Sequence, residues 1–166
     1  MFALKAAPAG TKSETYSELL DQARALLAGE RDAIANAANL ASLAFHALPE
    51  LNWAGFYFLK GAELVLGPFH GQPACVRIAV GRGVCGTAAR ERRMIVVPDV
   101  ERFPGHIACD STSRSEIVVP IIANGQLVGV LDLDSPILRR FDAADAQGLE
   151  ALVGIFVAST DLGAFR

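Results

Sequence analysis

Three cysteines, Cys75, Cys85 and Cys109, are the residues of this 166-residue chain best suited to covalent chemistry. Cys109 lies in a polar segment, GHIACDSTSRSE at 105–116, whereas a structural cysteine is usually buried as a small apolar side chain. For a lone cysteine we would favour a packing role beneath a surface loop, so the case for chemistry depends on the other two. Two thiols that folding brings together, however, can cycle between dithiol and disulfide, one attacking and the other resolving. The spacing of the three matches no zinc ribbon or finger, so we favour thiol chemistry and expect no metal.

Three carboxyl groups form a second candidate cluster. Asp132 and Asp134 share one face of a predicted strand, and Glu116 begins the neighbouring strand. Neighbouring carboxylates repel each other and are costly to bury unless a cation or a donor meets them. The face is therefore either exposed to water or receives an amine or a metal ion. In the metal alternative, which ranks below thiol chemistry, His70 or His106 would be a further ligand.

The aromatic segment NWAGFYFLK at 52–60 predicts a strand with two different faces. Its phenylalanines point to the core on one side, while Trp53, Gly55 and Tyr57 share the other. A glycine between two large aromatic side chains leaves a slot, which suits a small ligand with an apolar or cationic part. Packing of Trp53 and Tyr57 beneath a helix explains the pattern equally well.

A glycine-rich turn, GRGVCGTAA at 81–89, opens a short predicted helix. The start of a helix can hold an anion or lower the pKa of a thiol. The segment lacks the Gly-Lys-Ser/Thr ending of a phosphate-binding loop and the spacing of a dinucleotide fold. Cys85 fits packing inside the first turn better than catalysis, although the sequence leaves both open.

The elements around these residues predict a single α+β domain of about six short strands, mostly antiparallel, with helices on one face and loops on the other. The predicted helices and strands are Ser13–Ala28 (helix), Arg31–Leu48 (helix), Asn52–Lys60, Glu63–Leu66, Val76–Val80, a short helix that opens in the turn 81–89 and continues to about Arg92, Met94–Val97, Glu116–Ile122, Leu127–Asp134 and Asp142–Leu162 (helix). The segment 67–73 is predicted as a loop. Residues 1–12 are predicted to be a flexible N-terminus and 13–166 the domain.

Composition excludes several classes of function. The net charge of −3 gives no reason to expect nucleic acid or an anionic membrane as partner. No apolar run is long enough for a membrane span, and the first residues lack the apolar core of a secretion signal. These features predict a cytoplasmic protein, where permanent disulfides are rare. The alanine-rich second helix is compatible with close packing on a sheet or with a homodimer.

Nearly the whole chain resembles the free methionine-(R)-sulfoxide reductases, which are built on a GAF domain. Five segments carry the resemblance: NWAGFYF (52–58), LGPFHGQPACVRI (66–78), GRGVCGTAA (81–89), GHIACDSTSRSEIVVP (105–120) and GVLDLDS (129–135). It implies a six-stranded antiparallel sheet between helices, with the pocket under the cysteine loops. It also implies that the substrate is the free amino acid sulfoxide rather than oxidised methionine in a protein.

The resemblance further implies a role for each cysteine. Cys109 would attack the sulfoxide sulfur and become a sulfenic acid, and Cys75 would resolve it as a disulfide. Cys85 would be an accessory thiol, and it is the second choice for either role. Thioredoxin would reduce the disulfide, with NADPH acting only through thioredoxin reductase, and no cofactor would be bound.

The same resemblance gives the remaining candidates a purpose. Glu116, Asp132 and Asp134 would hold the substrate ammonium, and a carboxyl kept protonated by its neighbours, Asp134 in our assignment, would protonate the departing oxygen. Trp53 and Tyr57 would cradle the methyl and sulfoxide end, and the helix start at Cys85 would receive the substrate carboxylate.

Two alternatives remain from another class of protein. GAF domains also bind cyclic nucleotides and other small molecules, so the chain could be a ligand-binding module without catalysis. A thiol sensor of peroxide is the other alternative. Three acids facing the ligand would repel phosphates, which disfavours a nucleotide. A peroxide sensor would leave the aromatic and acidic residues without a role.

Overall fold

The computed structural model describes residues 10–107 and 110–165. The α-helices of the described part are α1 (Lys12–Leu26), α2 (Ala33–Ala47), α3 (Gly83–Glu91) and α4 (Ala143–Ser159). Its strands are β1 (Trp53–Lys60), β2 (Glu63–Gly71), β3 (Arg77–Ala79), β4 (Ile95–Val97), β5 (Ser115–Ala123) and β6 (Gln126–Ser135). Residues 1–9 of the predicted flexible N-terminus lie outside the described residues. Among the described helices, none has the length and apolar character that crossing a membrane requires.

The strands form one sheet in the order β3-β2-β1-β6-β5-β4, and every neighbouring pair is antiparallel. Asn124 and Gly125, both with positive φ, make the tight turn between β5 and β6. Strand β6 pairs with β1 on one side and with β5 on the other, so these three strands lie in the interior of the sheet. The predicted six-stranded antiparallel α+β fold is confirmed.

The two faces of the sheet are covered by different helices. Ala54, Phe56 and Phe58 of β1 point to a core that they share with α1, α2 and α4. Trp53 and Tyr57 point the other way, where α3 supplies a smaller core. The prediction that helices would cover only one face was wrong, because the short helix α3 buries its own apolar side, including Val84 and Ala88, on the second face.

Strand β2 is longer than its sequence indicated. The segment predicted as a loop from Gly67 continues as strand to Gly71 and stays paired with β1. Strand β3 covers only Glu63–Val65 of β2, so Pro68 lies where β2 has no second strand partner in the described sheet. Proline is tolerated there because no ladder hydrogen bond is needed from its nitrogen.

A buried ionic cluster fixes α1 against α4. The Asp145 carboxylate is fully buried and accepts hydrogen bonds from Tyr16 Oη at 3.0 Å and Arg140 Nη1 at 2.9 Å. Lys12 Nζ also pairs with this carboxylate and with Asp142 Oδ2 at 2.8 Å. Asp142 caps the first turn of α4 through the backbone N–H groups of residues 144 and 145. Each charge at this contact therefore has an opposite partner.

The alanine content of α2 is explained inside the chain. Ala37, Ala41 and Ala44 are completely buried in the core next to β1 and β2. Small side chains allow the helix to approach the sheet closely. The homodimer stays a prediction that the described structure does not test.

Candidate active site

The sheet itself brings the three predicted carboxyl groups together. Glu116 of β5 is directly opposite Asp134 of β6, and Asp134 is in turn opposite Trp53 of β1. Asp132 is opposite Gly55. Residues directly opposite each other in an antiparallel pair project from the same face. The acids therefore share the face that carries α3.

These residues line a small cavity beneath α3. The first turn of α3 lines it with Gly83, Val84 and Cys85, and β1 contributes Tyr57. The polar residues of the lining are His106, Asp110, Ser113, Glu116, Asp132 and Asp134. A second, smaller lobe shares Tyr57, Asp110, Asp132 and Asp134 with the first and adds Trp53 and residues 72–74. No described lining residue of either lobe is a lysine or an arginine. The cavity is thus acidic and lacks a built-in counter-charge.

Cys85 contacts this acidic cluster directly. Its Sγ lies 3.2 Å from Asp132 Oδ2 and 3.9 Å from Glu116 Oε1, and the side chain is buried. Burial raises the pKa of the Cys85 thiol well above its ordinary value, and the charges of Asp132 and Glu116 raise it further. The carboxylates outweigh any lowering of the pKa by the helix start. Cys85 is therefore a poor thiolate nucleophile in this state.

The carboxyl groups have strongly perturbed protonation. Burial raises the pKa of Glu116 well above its ordinary value, and the charge of Asp134 adds to this. Burial followed by the charge of Glu116 raises the pKa of Asp132, and burial followed by the charge of Asp132 raises that of Asp134. Groups that repel one another in a dry site hold protons to a higher pH. The cluster therefore keeps its protons to a higher pH than isolated carboxyl groups do and can serve as a proton donor.

The predicted slot between Trp53 and Tyr57 is absent. Their rings stack on each other with centroids 5.9 Å apart, and Phe69 stacks on the other side of Trp53 at 5.4 Å. A Cβ at Gly55 would lie 2.5 Å from the Trp53 ring and 2.4 Å from Phe69 Cβ. Gly55 therefore makes room for the tryptophan ring itself. The two aromatic residues still line the second lobe of the cavity.

Trp53 and Tyr57 also hold the segment that carries Cys75. Trp53 Nε1 donates to the carbonyl oxygen of Gln72 at 3.1 Å, and Tyr57 Oη donates to that of Cys75 at 3.1 Å. Cys75 is half-buried and disulfide-bonded. The predicted nucleophile Cys109 lies outside the described residues. The structure therefore places Cys85 in the wall of the cavity and Cys75 beside Tyr57, which lines it, and the role of each thiol stays a prediction.

Sequence reasoning missed Asn52, which anchors the loop after Cys109. Its Nδ2 lies 3.0 Å from Asp110 Oδ2, 3.1 Å from Thr112 Oγ1 and 2.9 Å from Ser113 Oγ. Hydrogen bonds from Thr112 keep the pKa of Asp110 below its ordinary value, so this acid stays ionised. A polar residue directly before an aromatic strand was the signal that could have revealed it.

His106, which the sequence suggested only as a ligand in the metal alternative, also lines the cavity. Its Nε2 lies 3.6 Å from Glu116 Oε2. Burial lowers the pKa of His106, so the imidazole is neutral near pH 7. A neutral histidine beside a carboxyl can exchange a hydrogen bond with it but does not offset its charge.

Comparison with known proteins identifies the family. The family model of the GAF domain matches residues 12–158. The chain is 48% identical over 157 residues to the free methionine-R-sulfoxide reductase of Escherichia coli, covering 93% of this chain and 95% of that protein. This chain is a GAF-domain protein of the free methionine-R-sulfoxide reductase family. It is also 56% identical over 142 residues to protein YtsP of Bacillus subtilis, covering 84% of this chain and 87% of that protein.

A solved structure extends the match to the architecture of the reductase family. The X-ray structure of the free methionine-R-sulfoxide reductase from Neisseria meningitidis, in complex with its substrate, superposes with a TM-score of 0.92. It is 45% identical to this chain, with 96% of this chain and 95% of that chain covered. The fold expected from the sequence motifs is confirmed, with the acidic cavity built on its sheet.

Proposed function

We propose that this protein reduces free L-methionine-(R)-sulfoxide to L-methionine by a thiol mechanism. The observation that carries the proposal is the acidic cavity, in which Glu116, Asp132 and Asp134 face a space with no described lysine or arginine in its lining. Such a site favours a ligand that brings its own positive charge. The ammonium of a free amino acid supplies that charge, whereas a methionine sulfoxide inside a protein has none. The names of the relatives support the same substrate.

In this proposal the cavity orients the substrate by its two ends. The ammonium lies between Glu116 and Asp132, and the carboxylate lies at the first turn of α3, where residues 83–85 line the cavity and no side chain caps the helix. The methyl and sulfoxide end lies toward the lobe that includes Trp53 and Tyr57. Asp134 lies between the two lobes and is assigned as the acid that protonates the sulfoxide oxygen.

The thiol steps follow from the cysteine roles. The Cys109 thiolate attacks the sulfoxide sulfur, the oxygen is protonated and transferred to the cysteine sulfur, and methionine leaves with Cys109 as sulfenic acid. The thiol of Cys75 then displaces water from the sulfenic acid and forms a disulfide. A disulfide at Cys75 is consistent with this assignment. The raised pKa of Cys85 supports an accessory role for that thiol.

The cycle closes by disulfide exchange with thioredoxin, which takes its electrons from NADPH through thioredoxin reductase. No bound cofactor is needed, because the cysteines themselves carry the two electrons. We place the protein in the cytoplasm, whose reducing poise would return Cys75 and Cys109 to thiols. We retain the homodimer as a prediction for light scattering after size-exclusion chromatography.

A single turnover without any reductant tests the cysteine roles. Reduced protein mixed with free (R)-sulfoxide should release one methionine per chain and lose two thiols. Cys75→Ser should still release methionine but accumulate a sulfenic acid that reacts with dimedone. Cys109→Ser should release none, and methionine release by that variant would contradict the assignment. If Cys85 resolves instead, Cys85→Ser rather than Cys75→Ser will accumulate the sulfenic acid.

A further inference from the structure

Three ligand atoms in the cavity have the spacing of a metal site. One atom each from Cys85, Glu116 and Asp132 lies within 4.8 Å of the other two. A tetrahedral zinc ion with Zn–S of about 2.3 Å and Zn–O of about 2.0 Å holds sulfur and oxygen ligands about 3.5 Å apart. The observed Sγ–Oδ2 distance of 3.2 Å and Sγ–Oε1 distance of 3.9 Å bracket that value. Small side-chain adjustments would therefore place the three ligand atoms at three corners of a tetrahedron around the ion.

A second observation points to a missing partner at the same place. Asp132 is only 6% exposed, and its buried Oδ1 has no hydrogen-bond partner among the described residues. A buried carboxylate oxygen without a partner costs free energy and is rarely left so. Asp132 lines both lobes of the cavity, where no described lining residue supplies a positive side chain. A cation in the cavity would satisfy this oxygen.

The donor set selects the kind of cation. One thiol and two carboxyl groups, with the neutral imidazole of His106 beside Glu116, suit a borderline-soft ion such as Zn²⁺. Mg²⁺ and Ca²⁺ require more oxygen ligands and make no use of the sulfur. We propose that Cys85, Glu116 and Asp132 bind one Zn²⁺-class ion per chain, and that the bound ion excludes the sulfoxide from the cavity.

The second half of this inference rests on the proposed function. The ion would occupy the position that we assign to the substrate ammonium, between Glu116 and Asp132. Binding of the ion releases the thiol proton of Cys85 and makes its sulfur a metal ligand without oxidising it. The site is thus a reversible block of the reductase rather than a cofactor site.

Cobalt(II) is the probe for binding, because a thiolate ligand gives it a charge-transfer absorption band. The host is the full chain carrying Cys75→Ser and Cys109→Ser, in which Cys85 is the remaining thiol. We expect one Co²⁺ per chain with the thiolate band, displaced by Zn²⁺ and not by Mg²⁺. Absence of the band, or equal displacement by Mg²⁺, would overturn the site.

Substitutions in the same host assign the ligands. Cys85→Ser should abolish the band, and Asp132→Asn should weaken Co²⁺ binding at least roughly 10- to 100-fold, the loss that even outer-sphere partners of a metal cause. If circular dichroism shows that Cys85→Ser or Asp132→Asn is unfolded, Glu116→Gln provides a second ligand variant. Asp21→Asn makes the same chemical change at a side chain that is 71% exposed and should leave the affinity unaltered. Unchanged affinity in folded Asp132→Asn would refute the proposal.

A competition experiment on reduced wild-type protein separates the two proposals. If the ion and the substrate share the cavity, free methionine (R)-sulfoxide should weaken Co²⁺ binding, and Zn²⁺ should slow single-turnover methionine release until excess sulfoxide restores it. Co²⁺ binding with the thiolate band, but without methionine release, would contradict the proposed function and support the metal site. Methionine release that Zn²⁺ never slows would refute the exclusion of substrate by the ion.

Discussion

Replacing Asp132 with asparagine should make the protein more stable and less active. Asp132 is 6% exposed, its Oδ1 has no hydrogen-bond partner in the part of the chain that the structure describes, and the charge of Glu116 acts on it unfavourably. Asparagine has the same shape, removes the buried charge and can still accept the Cys85 hydrogen bond. The free energy of unfolding should rise by about 1–2 kcal/mol, as is common when a destabilising functional residue is replaced. For a chain of this size that corresponds to roughly 2–8 °C in Tm.

Activity should change in the opposite direction. A hydrogen bond to a charged group contributes about 1.5–3 kcal/mol, so loss of the contact to the substrate ammonium should lower kcat/KM roughly 10- to 150-fold. The gain in stability should also depend on pH. The folded-state pKa of Asp132 is raised, so its destabilising effect is absent below its ordinary value near 3.8 and grows as the pH rises above that value.

The matched control is the same substitution at Asp145, which is buried but fully paired. Its carboxylate contacts Tyr16 and the guanidinium of Arg140, whose side chain is 5% exposed. Breaking such a buried ion pair leaves an uncompensated charge, so Asp145→Asn should destabilise the protein by about 3–5 kcal/mol. Two buried aspartates should thus respond to one chemical change with opposite signs.

Thermal unfolding from pH 4 to pH 8, in buffer that contains a chelator, measures both variants against the wild type. The Tm of Asp132→Asn should be higher than that of the wild type at pH 8 and close to it at pH 4. A fall in the Tm of Asp132→Asn comparable to that of Asp145→Asn would show that the Asp132 carboxylate is satisfied in the native state. That result would refute the reasoning about the acidic cavity.

Two further predictions concern the contact between α1 and α4. Gly148→Ala should destabilise the protein by about 1–3 kcal/mol, because its Cβ would lie 2.1 Å from the Tyr16 ring. The control Gly154→Ala, on the same helix, has no described atom within 4 Å of its Cβ and should stabilise the protein by roughly 0.5–1 kcal/mol. Urea unfolding measures both variants, and equal changes in the free energy of unfolding would contradict the packing of Gly148 on Tyr16. The hydrogen bond from Lys12 lowers the pKa of Asp142 to about 2, so the carboxyl should titrate near that value by NMR and its stabilising contribution should be lost as the pH falls from about 4 toward 2. Lys12→Gln should raise this pKa toward its ordinary value, and an unchanged midpoint would exclude the lysine as the cause.

The sequence predicted the acidic cluster because strand alternation and a hairpin are local rules. Asp132 and Asp134 lie two residues apart on one strand, which alternation predicts. Glu116 lies opposite Asp134 because the ladder that starts at the Asn124-Gly125 turn shifts its register between Ile121 and Ile122, a bulge that the sequence did not predict. The same rules identified the Trp53–Tyr57 face of β1. They could not show that the two rings stack over Gly55, because side-chain conformation depends on Phe69, which comes from another strand.

Long-range packing explains what the sequence did not predict. Strand β2 can extend past Pro68 because β3 pairs only with Glu63–Val65, so no hydrogen bond to β3 is lost at the proline nitrogen. The length of β3 cannot be read from the sequence of β2. Helix α3 was predicted as a helix but not on this face of the sheet, which it covers because its apolar side packs in the core around Tyr57. Asn52 escaped notice because its three acceptors are nearly sixty residues away.

The central claim is that the free amino acid sulfoxide is the substrate. NADPH consumption with thioredoxin and thioredoxin reductase should be measured on free L-methionine-(R)-sulfoxide, on its (S) epimer and on a peptide that contains methionine sulfoxide. We predict turnover on the free (R) form alone, because only a free amino acid presents the ammonium that the acidic cavity receives. Equal turnover on the peptide, or none on any substrate with the thiols shown to be reduced, would contradict the account.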